Sequence, residues 1–220
     1  METIELKFSD IDFDESEIFK ALYGSTTPNA EIVDIFNHLL SKASEICRPR
    51  FCSKKLNGSV VNSTQIAIDG KLFTTGRVIS TALHGSEAFY LIVATAGREF
   101  NSWLHSPEIN NDIIYAYIAD AIGSEIAEAT VRKAYNTVSS VADQKLTNSY
   151  SPGYCGWHVR EQKAFFDFFP DSPCGVTLCD SCLMDPIKSV TTVVGTGELV
   201  EKKPYGCNIC FMKNCFKKRL

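Results

Sequence analysis

The chain lacks any apolar run approaching the roughly 20 residues that a membrane-spanning helix needs, so no membrane-embedded helix is expected. It lacks a basic stripe ahead of its last few residues and carries a net charge of -4, which argues against a nucleic-acid binder. Its first residues, Met1-Glu2-Thr3-Ile4-Glu5-Leu6-Lys7, alternate in polarity and include acids, unlike a secretory signal or a transit peptide. Internal repeats and low-complexity tracts are missing as well. Asp10, Asp12 and Asp14 have the spacing of a calcium loop, but its glycine and closing glutamate are absent. These absences leave a protein expected in the cytoplasm, where thiols stay reduced.

What is present fits one large core: 220 residues, 45% hydrophobic and 22% charged. Nine cysteines stand out. Cys47, Cys52 and Cys155 are scattered, whereas Cys174, Cys179, Cys182, Cys207, Cys210 and Cys215 crowd toward the C-terminus. In a reducing compartment, such crowding points to metal or redox chemistry before disulfides.

Along the chain, Ile4, Leu6 and Phe8 alternate with polar residues and predict a half-buried strand. An acidic turn then caps a helix near Asp14 that ends at Gly24. A second helix opens at Thr27-Pro28-Asn29 and stops at Pro49, with Ile32, Ile35, Phe36, Leu39, Leu40 and Ala43 as its apolar face. Asp69-Gly70 between two β-prone runs signals a hairpin. A short helix over 78–83 follows. Residues 88–94, Ala-Phe-Tyr-Leu-Ile-Val-Ala, read as a central strand buried on both faces, and 98–105 as helix. The longest helix covers 113–140, with Ile114, Tyr117, Ile118, Ala121, Ile122, Ala129 and Val138 as its buried face and Glu128–Arg132 as a surface ion pair. Residues 143–148 read as a linker, 160–169 as helix, and 189–195 as a β-branched strand.

The most distinctive stretch is Ser149-Tyr150-Ser151-Pro152-Gly153-Tyr154-Cys155-Gly156-Trp157-His158. Pro152 fixes its own φ and extends Ser151. Gly153 and Gly156 permit positive φ and a close backbone approach. Tyr150, Tyr154 and Trp157 add flat faces with polar handles. On its own the stretch is either a plain Pro-Gly turn or a ligand-contacting loop.

Three segments together resemble the activation (reactivation) domain of cobalamin-dependent methionine synthase: the helical run Asp120-Ala121-Ile122-Gly123-Ser124-Glu125-Ile126-Ala127-Glu128-Ala129, the Ser149-to-Tyr154 stretch, similar to an Arg-Pro-Ala-Pro-Gly-Tyr signature, and the segment from Gly175-Val176-Thr177-Leu178 through Met184-Asp185-Pro186 to Ser189-Val190. Their order and spacing fit over residues 85–197. The resemblance implies an α+β fold, a twisted, mainly antiparallel sheet with flanking helices, over residues 1–200; the basic, cysteine-rich appendage at 201–220 stands outside it and is expected to pack on or near 174–182. It implies S-adenosylmethionine binding by Glu128, Ser151, Gly153 and Tyr154, and docking on the cobalamin-binding module of methionine synthase or another corrinoid protein, with an electron donor reducing cob(II)alamin. A carboxylate suits the ligand's ammonium, and an aromatic face suits adenine or the sulfonium. Ser149 stands where the signature has arginine, so the ligand carboxylate needs another cation, Arg160 or Arg132. No Asp-x-His-x-x-Gly run occurs, which leaves cobalt's lower ligand to the partner.

The cysteine spacing carries its own reading. Cys174-x4-Cys179-x2-Cys182 precedes Cys207-x2-Cys210-x4-Cys215 with 24 residues between. Paired thiolates of this kind build a four-sulfur zinc site, and the first trio also matches a plant-type iron–sulfur pattern with Cys207 as fourth ligand. His158 and Cys155 are further ligand candidates beside the signature. Three functions follow: an accessory protein supporting reductive methylation of cobalamin in a corrinoid methyltransferase, a reductive activator that uses a cysteine-bound cluster without S-adenosylmethionine, and a non-catalytic zinc-stapled binding module.

Overall fold

The computed structural model describes residues 2–23 and 29–203. A short strand β1 (Ile4–Glu5) leads through a 3-10 turn at Phe8–Asp10 into helices α1 (Glu15–Tyr23) and α2 (Ala30–Ile46). The long strand β2 (Arg50–Asn62), the hairpin β3 (Gln65–Ile68) and β4 (Lys71–Thr74), and helix α3 (Gly76–Ala82) come next. Strand β5 (Ala88–Thr95) precedes α4 (Arg98–Leu104), α5 (Pro107–Asn110) and the long helix α6 (Ile113–Val141). Then follow β6 (Lys145–Tyr150), α7 (Gln162–Phe166), the small pair β7 (Thr177–Leu178) and β8 (Met184–Asp185), and finally β9 (Ser189–Gly197).

The main sheet has the order β4-β3-β2-β5-β9-β6, with β1 added beside β2, and every pairing in it is antiparallel. β5 lies at its centre and is buried along its whole length. Its side chains alternate between two layers. Phe89, Leu91 and Val93 face a core containing Ile66, Phe73, Trp157, Phe165 and Val176. Tyr90, Ile92 and Ala94 face Val131, Ala134 and Val138 of α6. Beyond that helix, α1, α2, α4 and α5 enclose a third cluster around Phe36, Leu39, Phe100 and Ile122.

The α+β architecture expected from sequence is the one found, an antiparallel sheet with helices packed on it. The Asp69-Gly70 hairpin forms, both residues at positive φ (47° and 78°). Asn29 caps α2 by accepting from the Ile32 N–H at 2.9 Å, and Asp14 caps α1 through Ser16. The expected helix end at Gly24 lies outside the described residues.

Four local expectations are corrected. The strand predicted from Ile4 to Phe8 covers only Ile4–Glu5, because Asp10 accepts the Lys7 N–H at 2.8 Å and closes a turn there. Residues 50–62 gave no strand signal, yet they form the longest strand. The linker at 143–148 is instead mostly β6, an edge strand. On α6, Ile114 and Tyr117 are exposed, while Ile118, Ile122, Ala129 and Val138 are buried as expected. The helix is enclosed at mid-length, and a side chain at Gly123 would collide with the Phe100 ring and the Lys188 stem, so glycine there permits close packing.

Candidate functional site

The distinctive stretch begins as the end of β6. Ser149 pairs with Val194 and Tyr150 with Val193 of β9. The backbone then folds into a compact loop closed by its own hydrogen bonds. Gly153 N–H donates to the Trp157 carbonyl at 2.7 Å, Trp157 N–H to Tyr154 at 2.9 Å, and Tyr154 N–H to Ser151 at 3.3 Å. Gly153 has φ 100° with open space around its α-carbon, so glycine is required there for conformation and not for room. Pro152 and Trp157 turn inward and are buried, whereas Ser151 and Tyr154 are half-buried and Gly153 is exposed. The loop therefore offers its tip to solvent and anchors its far end in the core.

Trp157 is that anchor. Its ring meets Phe73 edge-on at 6.1 Å, and its indole N–H donates to Glu161 at 2.8 Å. Tyr150 is buried among the same side chains, and burial raises its phenol above the ordinary range.

Glu128 sits half-buried on α6. Tyr135 of the same helix donates its hydroxyl to the Thr147 carbonyl of β6 at 3.0 Å. Glu128 and Tyr135 are seven residues apart and share a helical face. Tyr150 and Trp157 of the loop pack in the layer of Phe89, Leu91 and Val93, whereas α6 packs on the other face of the sheet through Val131, Ala134 and Val138.

Glu125 lies three residues before Glu128 on α6. Glu125 is 8% exposed and accepts from Arg132 and from the Asp14 N–H, while Arg132 also donates to the Asp12 carbonyl. This corrects the expected surface pair: the partner of Arg132 is the buried Glu125, not Glu128. Burial raises the Glu125 carboxyl above its ordinary value, and Arg132 opposes that shift. The sequence reading gave Glu125 no role, although its seven-residue spacing from Arg132 already puts the two on one helical face. Arg132 is thereby committed to the N-terminal segment. The Arg160 side chain is exposed and makes no hydrogen bond or ion pair among the described residues.

The cysteines occupy different settings. Cys174 is buried, with its sulfur 3.6 Å from the Val93 carbonyl, and the neighbouring Cys52 thiol, then burial, push its thiol far above the ordinary range. Cys182 is buried and Cys179 exposed. Burial pushes Cys47 up to about 11. Among the described residues no group of three His, Cys, Asp or Glu side chains is placed to hold a metal ion, and Cys207, Cys210 and Cys215 lie outside them. His158 uses its Nδ1 to accept the Arg160 N–H at 3.1 Å, and Cys155 packs beside the Trp157 core.

No protein-family model and no curated protein sequence matches the chain. Among solved structures, the crystal structure of the MetH reactivation domain bound to AdoHcy matches with a TM-score of 0.66 over 93% of this chain and 80% of that one, at 15% identity. The chain has the MetH reactivation domain fold. The match extends well beyond residues 85–197, so this fold includes the N-terminal helices and the β2–β4 region. No helix among the described residues is long and apolar enough to cross a membrane.

Proposed function

We propose that this chain binds an S-adenosylmethionine-type ligand at the β6 edge and acts as a reactivation partner of a cobalamin-dependent methyltransferase such as methionine synthase. The observation that carries the reading is the near-complete fold match to a MetH reactivation domain crystallised with AdoHcy. The reading assigns the ligand to Glu128 of α6 and to the loop at 151–154. Glu128 supplies a carboxylate suited to the ligand's ammonium. Tyr154 and the open backbone at Gly153 suit the adenosine side. Arg132 is held by Glu125, which leaves Arg160 as the cation for the ligand carboxylate in place of the signature arginine. S-adenosylmethionine supplies the methyl group when bound; the chain's own residues hold and orient it. Cobalamin belongs to the partner module.

Isothermal titration of the full chain with S-adenosylmethionine and S-adenosylhomocysteine tests the ligand assignment, with saturable heat expected below millimolar concentration. A flat titration at millimolar ligand rejects it. Co-purification with a cobalamin-loaded partner, read by its corrinoid absorbance, tests the second half.

A further inference from the structure

We infer that Glu161 is the positioning residue of the candidate ligand loop, clamping it to the end of the β3–β4 hairpin. Glu161 lies in a 3-10 turn at Val159–Glu161, outside the motif and outside every helix longer than a single turn. Its carboxylate faces two donors. The Trp157 indole N–H reaches it at 2.8 Å, and the Thr74 backbone N–H reaches both of its oxygens, at 3.0 and 2.9 Å. Trp157 is 1% exposed, so its N–H has no water to turn to and depends on this acceptor. The Trp157 carbonyl in turn holds Gly153, and the Trp157 N–H is held by Tyr154. One carboxylate therefore connects the last residue of β4 to the two loop residues that present the open face. Gly76, the first residue of α3, lies against the Cys155 and Gly156 backbone, which a β-carbon there would meet at ordinary contact distances of 3.4 and 3.6 Å.

A carboxylate suits this place because both neighbours are donors. A glutamine at the same position brings its own N–H2 group and can accept from only one side. Glu161 does not touch the ligand; it acts by fixing the loop before the ligand arrives, so that ordering the loop is not charged against binding. The affinity half of this inference rests on the ligand reading above, and the anchoring half does not.

The test uses the full chain with the Glu161→Gln and Trp157→Phe variants, read by amide hydrogen exchange and by titration with S-adenosylhomocysteine. In E161Q the amides of Gly153 and Trp157 are expected to lose protection while those of β5 keep it, with affinity about tenfold weaker. W157F is expected to move both readouts the same way, and the double variant to lose no more than the worse single one, because one connection is being cut twice. Unchanged loop protection in E161Q overturns the inference, as does a loss spread evenly through β5, which signals general destabilisation. Loosened loop amides with unchanged affinity overturn the positioning role. Should the unmodified protein bind no S-adenosylhomocysteine, the ligand reading fails together with the affinity half, and the exchange data alone decide the anchoring.

Discussion

β5 and β6 lie two strands apart in one sheet and solve the same burial problem by opposite means. β5 is apolar along its length and buried on both faces. β6 reads Lys-Leu-Thr-Asn-Ser-Tyr and alternates poorly, yet Leu146, Thr147 and Tyr150 are buried. Its polar groups are satisfied inside the fold. The Thr147 hydroxyl accepts the Gly195 N–H at 2.9 Å, and its carbonyl accepts from Tyr135. The central strand holds the fold through apolar contact. The edge strand is held by hydrogen bonds and leads directly into the loop that carries the candidate site. Stability and recognition are thus placed on different strands, with β9 as the shared neighbour.

The sharpest way to break this contrast is at the centre. Leu91→Ala removes a fully buried side chain and is expected to cost about 2–5 kcal/mol, whereas Lys145→Ala on exposed edge positions should stay within about 0.5 kcal/mol; urea denaturation of both variants compares them. Next comes Arg132→Ala. It leaves the Glu125 carboxylate without its cation, and since Arg132 is 41% exposed and water can partly replace it, the expected cost is about 1–3 kcal/mol by thermal unfolding.

A smaller effect belongs to ligand binding. Glu128→Gln or Tyr154→Ala should weaken S-adenosylhomocysteine by about tenfold, or about 1.4 kcal/mol, with little change in Tm. Equal losses of affinity and of stability would place these residues in the core and not at the site. Arg160→Ala is the mildest, a few-fold weakening that fades as salt is raised, as expected of an exposed cation.

Glu125 adds a pH test. Its carboxyl is raised above the ordinary 4.5, chiefly by burial, with Arg132 and the Asp14 N–H pulling the other way and Glu128 adding to the rise. A raised folded value means that the native state holds the proton more tightly than the unfolded chain. The stability from this group is present below pH 4.5 and is lost as pH climbs through the raised value. Glu125→Gln, which stays uncharged, should therefore gain on the unmodified protein between acidic and neutral pH. Parallel denaturation curves with a constant offset would show that Glu125 titrates alike in both states.

The same contrast governs what could be read from the sequence. β5, the Asp69-Gly70 turn and the long α6 announce themselves by periodicity and turn chemistry. β2 does not, because Lys54 and Lys55 interrupt it. Both keep their stems in the sheet and send their amines elsewhere, Lys54 to the Phe168 carbonyl at 3.0 Å and Lys55 over the Tyr90 ring at 5.4 Å. β6 is hidden by its buried threonine and half-buried asparagine and serine, and its pairing partners are far away in the sequence. The loop at 151–157 was legible through its proline, glycines and aromatics. Glu125 was not, since a glutamate inside a helix ordinarily faces water. Glu161 has no pattern at all; only the fold brings Thr74 and Trp157 to it.

The order of strands has a further consequence for how the molecule comes to be made. β5 is flanked on one side by β2, paired from Arg50↔Thr95 onward, and on the other by β9, paired from Ala88↔Thr196 to Thr95↔Ser189. Its second edge therefore stays bare until residues about a hundred positions later have left the ribosome. Until then the most apolar strand in the chain is an open template for any other extended segment. β9, the last strand among the described residues, is the one that seals this central strand and also supports the edge on which the candidate site is built.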